Sequence, residues 1–479
     1  MWRSDLASPE LSPDPHSRPR SSRHQCCHPA ARVPIVATCK DVSMRRLGCI
    51  AVSIAASVTL VMGTGISSAF AARTVSIPAT PTNVTAMPGV ATITVSWRSP
   101  HETGVTYTVS SVPTGKGCVV VALASCTIPV AESTPWRYQV TASIGSLSST
   151  ASALTPVVPH RTLAVLAGQS NATGAQSYAV DPTTGINYLA APYTDGADTT
   201  STIGWMPWLV NPVKGHEETG QVALDTPQLE IGSDGKPVHI FGPEIGWARQ
   251  IYADTGQSVS VIKTAFPNTS LAGYWLPSIP GGLFSQMITT VTSTMAADAR
   301  RGQLDTIGAF AWFQGESDAE DPTMAPDYQT NLSAFIIALR SDLPADPTTP
   351  IVLVKESLAS LISFWETFGS CGTTENCTSV AAGDAEVRAA DDWAAANLAH
   401  VIEVDTLGLP RFGGLIHLTN ISELAIGEKI ATASDRLMPW QHLRDPGPAL
   451  NQSGGIGGLS GLAAVAWIVG GSAATMARS

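Results

Sequence analysis

Charge is scarce in this chain, and positive charge scarcer still. Only 14% of the 479 residues are Asp, Glu, Lys or Arg, and 27 Lys and Arg stand against 38 Asp and Glu, for a net charge of −11. Binding a nucleic-acid backbone needs clustered cations. No basic patch interrupts the sequence, so nucleic acid is excluded as a partner. Metal-ligand spacings are also missing: there is no Cys-x-x-Cys and no His-Glu-x-x-His, so no structural or catalytic metal is indicated. Nothing calls for an organic cofactor either. Gly and Pro, by contrast, number 41 and 34, a balance suited to an exported protein rich in loops and sheet. The length suggests two or three domains.

The amino-terminal residues 1–43 are dense in Pro, Ser, Arg and His without apolar periodicity, and are expected to be disordered or an upstream extension. From Met44 a secretory pattern follows over residues 44–71. Arg45-Arg46 form a positive start, Leu47 to Ile66 is an uncharged apolar run, and Ala69-Phe70-Ala71 is a small-x-small cleavage site. A retained signal anchor is the alternative, and either way the remainder is exported, secreted or held at the cell surface. It then carries 19 Lys and Arg against 34 Asp and Glu. Export makes the cysteines legible. Cys118, Cys126, Cys371 and Cys377 follow the cut, and the simplest pairing is two local disulfides, Cys118–Cys126 and Cys371–Cys377. At the other end, residues 438–479 form a Gly/Ala-rich tail. Its stretch Ile456–Met476 is either a weak membrane contact or a surface segment, because composition does not separate the two.

Residues 73–157 alternate like half-buried strands, as in Thr92–Trp97, Tyr107–Val109 and Tyr138–Ala142, with turn residues between them. A small all-β immunoglobulin-like sandwich is expected, with Trp97 and Tyr138 in its core. The opening Pro-Thr-Asn-Val-Thr-Ala, the Thr-Val-Ser-Trp strand and Tyr138 resemble a fibronectin type III domain. Pro156 to Pro159 marks a linker, and the sandwich is expected to act as a spacer or a weak polysaccharide contact.

Residues 161–437 alternate apolar runs with helical stretches. Strands are expected at Leu163–Leu166, Val259–Lys263, Ile307–Phe313, Ile351–Val354 and Val401–Val404. Amphipathic helices are expected at Glu244–Ala253, Met287–Arg301, Tyr328–Asp342, Asp384–Ala399 and Ser422–Arg436. Such alternation calls for a parallel sheet covered on both faces, a three-layer α/β domain. Residues 172–240 break the rhythm, and a loop that long is usually functional. They are expected to roof a site with Trp205 and Trp208.

Three strand ends carry polar side chains. After Leu163–Ala167 come Gly168, Gln169, Ser170 and Asn171, placing a Ser where ligands and nucleophiles sit in parallel sheets. After the third strand come Gln314-Gly315-Glu316-Ser317-Asp318. After the last strand, Asp405 leads on to Ile416-His417, and of the seven His residues past the cut only this one follows a strand in that way. A Ser and a His on one sheet rim suit nucleophilic catalysis. The bland alternatives are a capped polar turn at Ser170 and a merely structural His417.

Together these stretches resemble the SGNH-hydrolase superfamily, in a flavodoxin-like parallel-sheet fold, and more narrowly its sialate O-acetylesterase and acetylxylan-esterase branch. Phe241-Gly242-Pro243-Glu244, Val261-Ile262-Lys263, Thr269-Ser270-Leu271 with Trp275, and Phe335–Leu343 fit the same branch. The resemblance implies Ser170 as nucleophile, His417 as general base, and Gln314 with the Ser170 backbone N–H as oxyanion donors. Gln314 and Glu316 could instead brace the turn. An acetylated carbohydrate is the implied substrate, with Trp205, Trp208, Tyr274 and Trp275 as candidates for the sugar-side wall.

Two departures stand out. The family's Asp three residues before the His is Gly414 here, so either a Ser–His dyad suffices or Asp405 or Glu316 orients His417. The family's Gly-Gly-Thr turn reads Pro267-Asn268-Thr269, and because Pro has no N–H, an oxyanion donor from that turn must be Asn268. A glycan-binding or adhesion protein without turnover is the alternative function, and a lipid or aryl ester the alternative substrate.

Overall fold

The computed structural model describes residues 76–99, 104–130, 136–190, 202–205, 222–224, 228–231, 237–357 and 374–440. The chain divides into Met1–Ala72 and Arg73–Ser479, and all described residues belong to the second unit. The expected extension, the signal segment, the tail beyond Trp440, Trp208, Cys371 and the side chains of Trp205 and Cys377 lie outside them.

Seven short strands come first: β1 (Thr82–Gly89), β2 (Thr92–Arg98), β3 (Thr106–Val112), β4 (Cys118–Val121), β5 (Ser125–Pro129), β6 (Arg137–Ile144) and β7 (Leu147–Ser148). They form two antiparallel sheets, β1-β2-β5 and β4-β3-β6-β7. Period-two patterning sends Ile93, Val95 and Trp97 of β2 and Tyr138, Val140 and Ala142 of β6 into one shared core. Trp97 and Tyr107 pack with ring centroids 5.3 Å apart. Cys118 and Cys126 are joined as expected, and the bond ties β4 to β5 across the two sheets. The expected linker is not a free tether. Val158 is buried in the sandwich core beside Leu304 of the following domain, and the Leu304 N–H donates to the Pro159 carbonyl at 2.8 Å.

The second domain begins with β8 (His160–Gly168), followed by the single turn α1 (Ser170–Thr173). The long insertion is not all loop. It contains β9 (Thr202–Trp205), β10 (Val222–Ala223), β11 (Gln228–Ile231) and β12 (Pro237–Ile240). The remaining elements are α2 (Pro243–Thr255), β13 (Val259–Ala265), α3 (Leu283–Arg300), β14 (Leu304–Phe313), α4 (Glu316–Ala319), α5 (Tyr328–Asp342), β15 (Ile351–Lys355), α6 (Thr374–Asn397), β16 (Val401–Asp405) and α7 (Asn420–Leu437). The sheet order is β10-β9-β13-β8-β14-β15-β16, and β9 runs parallel to β13. Pairing with β9 covers a β13 edge that would otherwise offer open backbone groups, which is why part of the insertion is strand.

The strands β13-β8-β14-β15-β16 are all parallel. Taken in chain order they run 2-1-3-4-5, and the switch point falls between β8 and β14. Alternate residues of β8 feed opposite layers. Leu163, Val165 and Ala167 face a core shared with α3, α5 and α6, while Ala164 and Leu166 face one shared with α2 and α7. Burial on both faces explains the nearly continuous apolar runs of these strands. Gly168 stands level with Ala265 of β13 and Phe313 of β14, so the residues just past each of them emerge at one rim.

Candidate functional site

Gly168 makes the turn at that rim possible. Its φ is 149°, and a Cβ there would lie 2.0 Å from the Phe313 carbonyl oxygen, so only glycine fits. The Gln169 N–H then donates to the same carbonyl at 3.0 Å, and Ser170 opens α1. Gly174 ends it at φ 81°, with its Cα so close to Phe241 that a Cβ would sit 1.9 Å from that carbonyl. From beneath, Lys263 Nζ donates to the Thr173 carbonyl at 2.8 Å and to Glu244 Oε1 at 2.9 Å. Glu244 also accepts from the Gly242 N–H at 3.0 Å. The Phe241–Glu244 and Val261–Lys263 stretches therefore form a buried polar pin under the Ser170 turn.

His417 lies between β16 and α7, on a loop held in two places. Asn171, next to Ser170, donates from Nδ2 to the Ile416 carbonyl at 3.3 Å and accepts at Oδ1 from the Leu418 N–H at 3.0 Å. Arg411 donates to the same Ile416 carbonyl, bonds Thr406 Oγ1 at 3.0 Å and pairs with Glu356 at 3.3 Å. Asn171 thus ties the His417 loop to the turn that carries Ser170. No hydrogen bond joins the Ser170 hydroxyl to the imidazole among the described residues. Burial, then the Arg411 charge, push the His417 pKa down to about 4. The ring is neutral at neutral pH, and its Nδ1 lies 2.9 Å from Gln176 Oε1.

The candidate orienting acids are engaged elsewhere. Asp405 is held by Arg388 at 2.6 Å and by the Leu407 N–H at 2.7 Å. Glu316 accepts from Asn171 Nδ2 at 2.8 Å, and Glu356 accepts from the same nitrogen at 3.0 Å. Burial first, and then the nearby Glu356, raise the Glu316 pKa well above the ordinary carboxylate range. Neither Asp405 nor Glu316 bonds the imidazole. Each acid is engaged by another donor: a guanidinium for Asp405, a buried amide for Glu316.

Gln314 braces the turn, and the oxyanion role is corrected. Its Nε2 donates to Gln169 Oε1 at 3.1 Å, the Thr269 carbonyl at 3.2 Å and Asp318 Oδ2 at 2.6 Å, which leaves no N–H for a substrate. Asp318 also accepts from the Leu271 and Ala272 N–H groups at 2.6 and 3.0 Å, capping the π-helical turn Leu271–Trp275. Asn268 is exposed and left-handed at φ 59° just past β13, on the rim that Ser170 shares.

The aromatic candidates divide. Trp275 is wholly buried against Phe266 and Trp312, and its Nε1 donates to Thr269 Oγ1 at 3.0 Å. It is a core residue and not a sugar wall. Its neighbour Tyr274 is half exposed. The sequence missed a second aromatic pair beside the His417 loop, Tyr178 and Phe412, packed edge to face at 5.5 Å. Their separation along the chain hides the pairing, and Gln176 left no local signal at all.

The family model for carbohydrate esterases described as sialic acid-specific acetylesterases matches residues 160–436. The chain belongs to this family. The matched span begins at β8 and ends in α7, so it takes in the Ser170 turn, both buried cores and the His417 loop. Membership makes the α/β domain that of a carbohydrate esterase acting on O-acetyl groups. Among solved structures, the esterase is similar to a protein from Arabidopsis thaliana at 20% identity, covering 58% of this chain and 98% of that one with a TM-score of 0.38. It is also similar to a carbohydrate acetylesterase from Xanthomonas citri at 17% identity, covering 74% and 75% with a TM-score of 0.37. A third is NanS, at 12% identity, covering 58% and 97% with a TM-score of 0.39. No curated protein matches the esterase at a significant level.

Proposed function

We infer that this protein is an exported serine esterase that releases acetate from an O-acetylated carbohydrate. The Ser170 hydroxyl attacks the acetyl carbonyl while His417 Nε2 takes its proton. The Ser170 and Asn268 backbone N–H groups face the oxyanion that forms. His417 then returns the proton to the departing sugar hydroxyl. Water, deprotonated by the same nitrogen, hydrolyses the acyl-enzyme to acetate. Asn171 carries this reading, because the residue beside Ser170 grips the backbone on both sides of His417. Tyr178, Phe412 and Tyr274 are the aromatic faces available to a sugar. The sandwich is read as a fibronectin type III-like module seated against the esterase domain.

A second reading has one observation in its favour. Among the described residues the imidazole has no carboxylate partner, so a glycan-binding protein without turnover fits the same fold. Acetate release from p-nitrophenyl acetate by the full chain, abolished in Ser170→Ala, supports the esterase. Silence on every acetyl ester, with intact polysaccharide binding, supports the binder. Acetylated xylan and O-acetyl sialic acid assayed side by side assign the sugar.

A further inference from the structure

The turn that carries Ser170 does not stop at α1. The Ala175 N–H returns to the Ser170 carbonyl at 2.9 Å and the Ser177 N–H to that of Gly174 at 2.9 Å. Between them Gln176 sits at φ 63°. A left-handed backbone is strained for a residue other than glycine, and such strain persists where the surroundings over-determine it. Here they do. The Phe241 N–H binds the Ser177 carbonyl at 3.2 Å, and Tyr178 packs on Phe412, whose N–H donates to the His417 carbonyl at 2.8 Å. The result delivers Gln176 Oε1 to 2.9 Å from His417 Nδ1.

We propose that Gln176 is the positioning residue for His417, its amide oxygen holding the imidazole in the Nδ1–H tautomer so that Nε2 faces Ser170 as a base. This rests on the Ser170–His417 reading above and fills the place left by Gly414. The charged groups around the ring do not compete for Nδ1. Arg411 lies on the same loop and binds the Ile416 carbonyl, Glu316 and Glu356 lie behind Asn171, and Asp181 lies beyond Tyr178 beside Asn420. A neutral acceptor fixes the tautomer, yet it stabilises the imidazolium far less than a carboxylate would, since charge-assisted hydrogen bonds are about twice as strong. Burial, and then Arg411, hold the ring in its neutral form, in which one nitrogen carries a proton and the other is free to act as a base.

The test uses the full chain with Gln176→Leu, Gln176→Glu and Ser170→Ala, each followed by acetyl-ester kinetics and by the ring-nitrogen NMR shifts of His417. In the unmodified protein the shifts should report the Nδ1–H tautomer. Gln176→Leu should lose that preference and drop kcat about tenfold or more with KM little changed. Gln176→Glu, nearly isosteric, should keep the tautomer and move the acidic limb of the rate profile upward by about 1–3 pH units, the usual effect of an adjacent opposite charge. An unchanged tautomer and kcat in Gln176→Leu would overturn the proposal while leaving the esterase reading intact. Full activity in Ser170→Ala would instead sink the esterase reading and the proposal with it.

Discussion

Asn171 brackets His417. One planar amide meets the carbonyl before the imidazole and the N–H after it, so the backbone that carries the ring cannot shift without breaking a buried bond. Asn171→Ala should lower kcat/KM about 100-fold, the scale of a misplacement near 1 Å. It should also cost about 1–3 kcal/mol of stability, because the Leu418 N–H loses its acceptor. Asn171→Asp should be less stable still, since it sets a third carboxyl against Glu316 and Glu356. Kinetics and urea unfolding check both, and full activity in the alanine variant would show that the bracket is dispensable.

Activity should survive into acid. With the His417 pKa near 4, the base is neutral well below its ordinary value of 6.5, and kcat/KM should hold level until about pH 5 and halve near 4. Stability moves the other way. His160 is also held near 4, by burial and then by Arg161, so the folded state binds fewer protons than the unfolded one as pH falls below 6.5. Both histidines therefore contribute stability that is present above 6.5 and lost on the way down to 4. Melting temperature and rate measured over pH 3.5–8 should diverge accordingly.

Glu316 and Asp405 should behave differently when neutralised. Asp405→Asn should leave kcat within about threefold, because the carboxylate serves Arg388 and not the imidazole. Glu316 has a raised pKa in the fold, so its contribution to stability is complete below the ordinary carboxylate value and is lost as pH rises toward the raised one. Glu316→Gln mimics the protonated acid. Its melting temperature should fall less than that of the unmodified protein as pH rises above the ordinary carboxylate value, and parallel curves would count against the assignment.

Lys263 and Glu244 form an ion pair under the Ser170 turn with both side chains almost fully buried. Lys263→Met leaves Glu244 buried without its cation and should cost about 3–5 kcal/mol. The double variant Lys263→Met, Glu244→Gln should recover most of that loss. It should not recover full activity, because the Thr173 carbonyl still lacks its donor. Chemical denaturation and kinetics on the same three proteins separate the two effects.

Much of this was legible along the chain. The strand β8 is buried on both faces, so it had to be an uninterrupted apolar run, and that run marked the central strand and the rim where Ser170 turns out. The sandwich strands show the opposite pattern, one face wet, and their alternation was equally plain at Ile93, Val95 and Trp97. Less was visible in the insertion, where Thr202–Trp205 is strand only because β13 had an edge to cover. Tyr274 and Trp275 look alike in sequence, yet adjacent residues in one tight turn face different surroundings, and only one of them reaches solvent.

By itself the sequence determined the layered architecture, the position of Ser170 at a strand end and of His417 in the loop after the last strand, and the family that their motifs resemble, because periodicity and glycine placement are local properties. Which amide faces which atom was decided by the tertiary structure alone. Gln314 turned inward because Asp318 and Gln169 were waiting there. Gln176 reached the imidazole from 241 positions away because a left-handed turn and an aromatic contact carried it across. Hydrogen bonds of that kind depend on distances of a few tenths of an ångström between residues far apart in the chain, and no local pattern encodes them.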